Sequence, residues 1–212
     1  MTAAVTRPAF LDGNDRYRLL HPYFSAGLKA PVEFFQLRRL TLQDRVTFEG
    51  PGTYSARLLE VIADMIGQLR VDVEKLDAVD AERIDQIFGY FLRHSEKLEA
   101  GDIRAPAASD GTSPPPAYLT SGNAYSLLYP VRWQVDGEER VIDRLQLRRL
   151  TIADRIALEE PIPYSLRLAR IIASMIGESE YVVLKIDAFD AERIDRIFGH
   201  FLEPGTATGA TS

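Results

Sequence analysis

Leu37-Arg38-Arg39-Leu40-Thr41-Leu42-Gln43-Asp44 returns about 110 residues later as Leu147-Arg148-Arg149-Leu150-Thr151-Ile152-Ala153-Asp154. The match continues on the C-terminal side. Segments 37–92 and 147–202 align without a gap, and about 33 of 56 positions are identical. The sextets Asp80–Asp85 and Asp190–Asp195 are the same. Chance does not produce such agreement, so the chain carries an internal duplication. A duplication leaves neutral positions identical too, so identity alone does not mark function.

The repeat divides the chain. Residues 98–117 hold Pro106, Gly111 and the triplet Pro114–Pro116, a linker composition. The tail, 204–212, is small and polar, and residues 1–18 read as an N-terminal extension. This leaves a first module at 19–97 and a second at 118–203. Each is of a size whose core is marginal alone, so the copies are expected to pack on each other or on a partner. The fold class is α+β: two repeated modules, each a β-hairpin followed by about three α-helices.

The hairpin is clearest in the second copy. Val131, Trp133 and Val135 alternate with polar residues, Asp136-Gly137 follows, and Leu145 and Leu147 resume the alternation. The first copy offers Tyr23-Phe24, a turn near Ala26-Gly27, then Phe35 and Leu37 pointing inward. Phe34 replaces Arg144 and puts an aromatic on the outer face. The free edges of such hairpins invite self-association.

Thr41 and Thr151, each with an acid three residues on, begin a short first helix that Pro51 and Pro161 end. The second helix runs from about Tyr54 to Ile66. Leu58, Val61, Ile62 and Met65 form its apolar face, repeated as Leu168, Ile171, Ile172 and Met175. Gly67 and Gly177 stand at the C-terminal cap. The third helix is read as starting after Asp80 and Asp190 as N-caps. Its stripes are Ile84, Ile87, Phe88, Phe91 and Ile194, Ile197, Phe198, Phe201. Gly89 and Gly199 inside it suggest close approach of another helix.

Composition narrows the function classes. A formal charge of −6 and a pI near 5.2 argue against a nucleic-acid or anionic-membrane binder. With no cysteine, thiolate catalysis and disulfides are excluded. No run of about 18 apolar residues is present, so no membrane span is expected. Residues 1–10 lack an apolar signal core.

No pattern points to catalysis. Asp77, Asp80, Glu82 and Asp85, with Asp187, Asp190, Glu192 and Asp195, lack the spacing and glycine of a calcium loop. They read as helix caps and a solvated face. His21, His94 and His200 do not recur; Val131, Pro204 and Tyr90 stand opposite them. A catalytic histidine needs a positioned partner, and none can be named. Arg38-Arg39 and Arg148-Arg149 suit pairing with Asp44, Glu49 or Asp154 better than phosphate binding. No cofactor or metal site is expected. Exposed positions alike in both copies, Arg45 with Arg155 and Arg57 with Arg167, are weak candidates for partner binding.

The order of these phrases resembles the tail assembly chaperone family of Mu-like and related tailed bacteriophages. That family's pattern is a short hairpin, a phrase like L-[RK]-[RE]-P-T-x-x-D, two amphipathic helices, a phrase like L-D-x-x-D and a terminal helix rich in aromatics and leucine. Residues Leu37–Asp44 and Leu147–Asp154 match the first phrase, with Leu40 and Leu150 where proline is usual. Leu76-Asp77-Ala78-Val79-Asp80 and Ile186-Asp187-Ala188-Phe189-Asp190 match the second. Family members are commonly single modules, whereas this sequence carries the pattern twice. The resemblance implies a non-enzymatic chaperone in the host cytoplasm that binds the helical tape-measure protein before the tail tube polymerises.

Two other classes remain open at this point. One is a self-associating structural or adaptor protein of a phage or prophage particle. The other is a small-ligand protein or enzyme with a site between the modules, for which Trp133, Tyr90 and His200 are too few and scattered.

Overall fold

The computed structural model describes residues 6–25, 30–93 and 115–202. The turn at Ala26-Gly27, His94, most of the 98–117 linker and the 204–212 tail lie outside the described residues. The described chain is mixed α and β, with two small antiparallel sheets and eight helices. It falls into two compact units: residues 1–40 with 44–94, and residues 41–43 with 95–212.

In the first unit, β1 (Arg16–Tyr23) pairs antiparallel with β2 (Val32–Gln36), Tyr17 opposite Phe35 and Tyr23 opposite Val32. Tyr17, Leu19, Tyr23, Phe35 and Leu37 are buried, so Phe35 and Leu37 point inward as read from the alternation. Phe34 lies on the outer face, with the Arg16 guanidinium 3.7 Å from its ring centre. The strand starts three residues before the module boundary drawn at residue 19, and Leu11 is also buried. Leu11 and Tyr17 of the 1–18 segment therefore belong to the core, apolar residues too sparse to show a period.

Four helices follow: α1 (Leu42–Phe48), α2 (Tyr54–Ile66), α3 (Arg70–Val73) and α4 (Ala78–Arg93). Helix α2 has the limits its apolar period predicts. Thr53 accepts from the Ala56 N–H at its start, and Gly67 ends it with φ of 64°, a left-handed conformation that glycine adopts without steric cost. Helix α3 is a single turn, too short to carry a 3.6-residue period, and it makes four helices where about three were expected. Ile84, Ile87, Phe88 and Phe91 of α4 are buried; each such side chain contributes about 1.5–3 kcal/mol.

The second unit has a sheet of order β3-β4-β5: β3 (Leu119–Thr120), β4 (Ala124–Val135) and β5 (Glu138–Gln146). Asp136 and Gly137 turn the hairpin with φ of 52° and 84°, the paired left-handed values of a type I′ turn. Strand β4 begins seven residues before Val131, the first alternating residue read from the sequence. The helices are α5 (Ile152–Leu158), α6 (Tyr164–Ile176), α7 (Glu180–Val183) and α8 (Ala188–Leu202). Thr151 and Asp154 form a reciprocal capping box at the start of α5, and Gly177 ends α6 with φ of 71°. Residues 41–43 pack within this unit. The Leu42 N–H donates to the Ile186 carbonyl at 2.8 Å and the Gln43 N–H to that of Leu184 at 3.0 Å. Thr41 bridges Asp187, and the Leu42 side chain is fully buried in the unit's apolar cluster.

Two expectations from the sequence need correction. Asp80 and Asp190 are not N-caps: α4 and α8 begin two residues earlier, at Ala78 and Ala188. The capping acids are Asp77 and Asp187, which accept from the Val79 and Phe189 N–H groups at 2.8 and 2.9 Å. Nor are Gly89 and Gly199 contact points with another helix. A Cβ on Gly199 would meet nothing within 4 Å, and one on Gly89 would meet only the tip of Arg93 at 3.3 Å.

Candidate partner-binding site

The buried acids hold the hairpins. Between Arg18 and Tyr23 the β1–β2 register slips, and such a bulge leaves backbone N–H groups without ladder partners. An N–H that loses its ladder partner can be satisfied by another acceptor. Asp80, wholly buried, supplies it: Oδ1 accepts from the Tyr17 hydroxyl at 2.5 Å and the Leu20 N–H at 2.8 Å, and Oδ2 from the His21 N–H at 3.0 Å. Asp190 makes the same three bonds to Tyr125, Leu128 and Tyr129 across the slip in β4–β5. Burial, reinforced by the facing carboxylate, pushes the Tyr17 and Tyr125 phenols far up. Burial likewise raises Asp190, and the bonds from Tyr125, Leu128 and Tyr129 partly offset it. These acids are structural latches and not part of a solvated face.

The two latches bring a second set of recurring phrases into correspondence. Pro8-Ala9-Phe10-Leu11 and Tyr17-Arg18-Leu19-Leu20-His21-Pro22 recur as Pro116-Ala117-Tyr118-Leu119 and Tyr125-Ser126-Leu127-Leu128-Tyr129-Pro130. The offset here is 108 because the second hairpin is two residues longer. His21 thus corresponds to Tyr129, not Val131. Pro116 and Ala117, assigned to the linker, belong to this phrase, and the Leu119 N–H donates to the Pro116 carbonyl at 2.9 Å.

The arginines are largely committed to the fold. Arg38 grips Asp44 with two bonds, 2.6 and 3.0 Å, and reaches Asp64; Arg148 grips Asp154 at 2.5 and 3.1 Å. Arg39 and Arg149 donate to the Phe91 and Phe201 carbonyls near the ends of α4 and α8, where cations suit the helix dipole. Of the four weak candidates, Arg57 and Arg167 are half-buried, not exposed. Arg57 donates to the Gly50 carbonyl at 2.8 Å, and Arg167 to those of Leu158 and Glu160, so both fasten the turn between two helices. Arg155 is exposed on α5, and Arg45 is half-buried at the edge of a cavity.

That cavity, about 400 Å³, lies in the first unit between α1, the start of α2 and α4. Leu40, Phe48, Phe88 and Leu92 give it an apolar lining; Arg45, Arg93, Glu49 and Asp85 stand around it with balanced charge. Phe48 stacks on Tyr54, centroids 5.8 Å apart, and meets Phe88 edge-on at 6.5 Å. The Tyr54 hydroxyl donates to Asp85. Burial and that carboxylate raise the Tyr54 phenol to about 12, so it stays a neutral donor at ordinary pH. Gly89 in the wall presents no side chain and leaves the space open.

An apolar hollow ringed by both charges has room for one or two apolar side chains, with groups of either sign at its rim for flanking polar atoms. Neither His21 nor His200 lines it, and among the described residues no group of three His, Cys, Asp or Glu is placed to hold a metal. No helix among them is long and apolar enough to cross a membrane. Comparison with protein-family models, with curated proteins and with solved structures returns no match.

Proposed function

We propose that the chain is two copies of one α+β module and acts as a non-enzymatic tail assembly chaperone of a tailed phage. In this reading it holds the tape-measure protein before the tail tube forms around it. The observation that carries the reading is the cavity beside α1 and α4. A long amphipathic helix exposes apolar stripes and aggregates. A hollow of about 400 Å³ with an apolar lining and mixed charge suits the side chains of such a stripe. The phrases at Leu37–Asp44 and Leu76–Asp80, each repeated, support the same family. A small contact also suits a chaperone that tube subunits must displace.

Co-expression with the tape-measure chain encoded nearest to this gene tests the proposal. The expected result is a soluble complex that co-purifies, with the tape-measure chain insoluble alone. A tape-measure chain that stays insoluble, beside a protein that elutes by itself, overturns it.

A further inference from the structure

The same position in the two copies meets opposite surroundings. Leu42 is fully buried, inside the core of the second unit; Ile152, its counterpart at an offset of 110, is 73% exposed. Ile156, one helical turn further along α5, is 63% exposed. Two β-branched side chains at i and i+4 make a continuous apolar face, and Arg155 lies exposed beside it. Among the described residues no carbonyl takes up the Ile152 or Ala153 N–H, although the Leu42 and Gln43 N–H groups have the carbonyls of Ile186 and Leu184.

The receiving segment is duplicated as well. Leu184-Lys185-Ile186-Asp187, which takes residues 41–43, corresponds to Glu74-Lys75-Leu76-Asp77. Both follow a one-turn helix and precede the helix that carries the latch aspartate. Nothing among the described residues takes up the Glu74 or Leu76 carbonyl, and Leu76 is half-exposed. Among the described residues there is thus one engaged pair of surfaces and an unengaged counterpart of each.

We infer that the Thr151–Ile156 face of one molecule docks on the Glu74–Asp77 segment of a second copy of this chain. The contact repeats the one that residues 41–43 make with 184–187: two backbone hydrogen bonds beside a buried aliphatic side chain. The two surfaces differ, so a copy joined through one of them keeps the other, and head-to-tail joining continues past a dimer unless two copies engage both surfaces reciprocally. The contact is small, so assembly is weak and rises with concentration.

The absence of cysteine makes the test clean. Ile152→Cys and Leu76→Cys are made singly and together in the full chain, and oxidised at high protein concentration. The expected result is three-fold: the mixed single variants cross-link to a dimer and no further, the double variant gives a ladder, and neither single variant links alone. Ile152→Asp, at an exposed position, lowers the weight-average mass in sedimentation at high concentration while leaving the unfolding curve unchanged. A cross-link of Ile152→Cys to itself, or no cross-link in the mixture with a mass independent of concentration, overturns the inference.

Discussion

At the residue scale the weight falls on Asp80 and Asp190. Each accepts three hydrogen bonds inside the protein and fixes a strand at a point where the ladder fails. Asparagine keeps the shape but loses the charge and turns one acceptor into a donor facing N–H groups. Asp190→Asn is expected to cost about 2–3 kcal/mol, read from urea unfolding followed at Trp133, the only tryptophan. A change below about 0.5 kcal/mol would mean the latch is dispensable. Asp154 gives a pH dependence of definite sign. The Arg148 hydrogen bonds hold it down at about 2, against burial, below the usual carboxylate value of about 3.9. The unfolded chain therefore binds more protons across that interval. The stability this pair supplies is complete above about pH 4 and is lost as pH falls toward 2. Asp190, raised by burial, works the other way: its folded state holds the proton longer, so that part of the stability falls as pH rises through its titration. Unfolding midpoints between pH 2 and 7 check both; Asp154→Ala is expected to flatten the acid limb, and an unchanged limb refutes the assignment.

At the scale of elements, legibility followed length and period. Helices α2 and α6 carry four well-spaced apolar residues and a terminal glycine each, and their limits were readable. Asp136-Gly137 named its own turn. Helices α3 and α7, four residues apiece, hold no period. The start of α4 is ambiguous in the sequence because Asp77 and Asp80 are both plausible caps, and only burial separates them. The latch was invisible because its partners are about 60 residues apart and the hairpin loop shifts the repeat from 110 to 108. Gly199 offers a direct check. A Cβ there meets nothing and the backbone is helical, so Gly199→Ala is expected to stabilise by about 0.5–1 kcal/mol. Destabilisation in thermal unfolding would restore the idea of a close helix contact. The candidate site was legible only in part. Arg45 stands out by recurrence, while Tyr54 and Gly89 read only as a helix start and a helix contact and Phe48 carries no signal, since an apolar hollow has no sequence signature apart from that of a core.

At the scale of the whole molecule, the proposed two-copy arrangement would raise the effective concentration of a second contact with the tape-measure chain once a first is made. If both copies engage the tape-measure chain, cleavage within 98–117 is expected to weaken its retention at least tenfold in a pull-down; equal retention by the cut protein removes support for joint action. The copies differ where they would touch a partner, with Leu158 in place of Phe48 and Glu203 in place of Arg93. The central claim is that the cavity by Gly89 receives a side chain of an amphipathic helix. Its most direct test is titration of a tape-measure peptide into the wild-type protein and into Gly89→Met. Methionine suits a helix, and its nearest neighbour is the movable end of Arg93, so the variant is expected to fold while occupying the hollow. Binding by the wild type, weakened tenfold or more in a Gly89→Met protein of unchanged unfolding midpoint, is the predicted result. Equal affinity in the two proteins, or none in either, would contradict it.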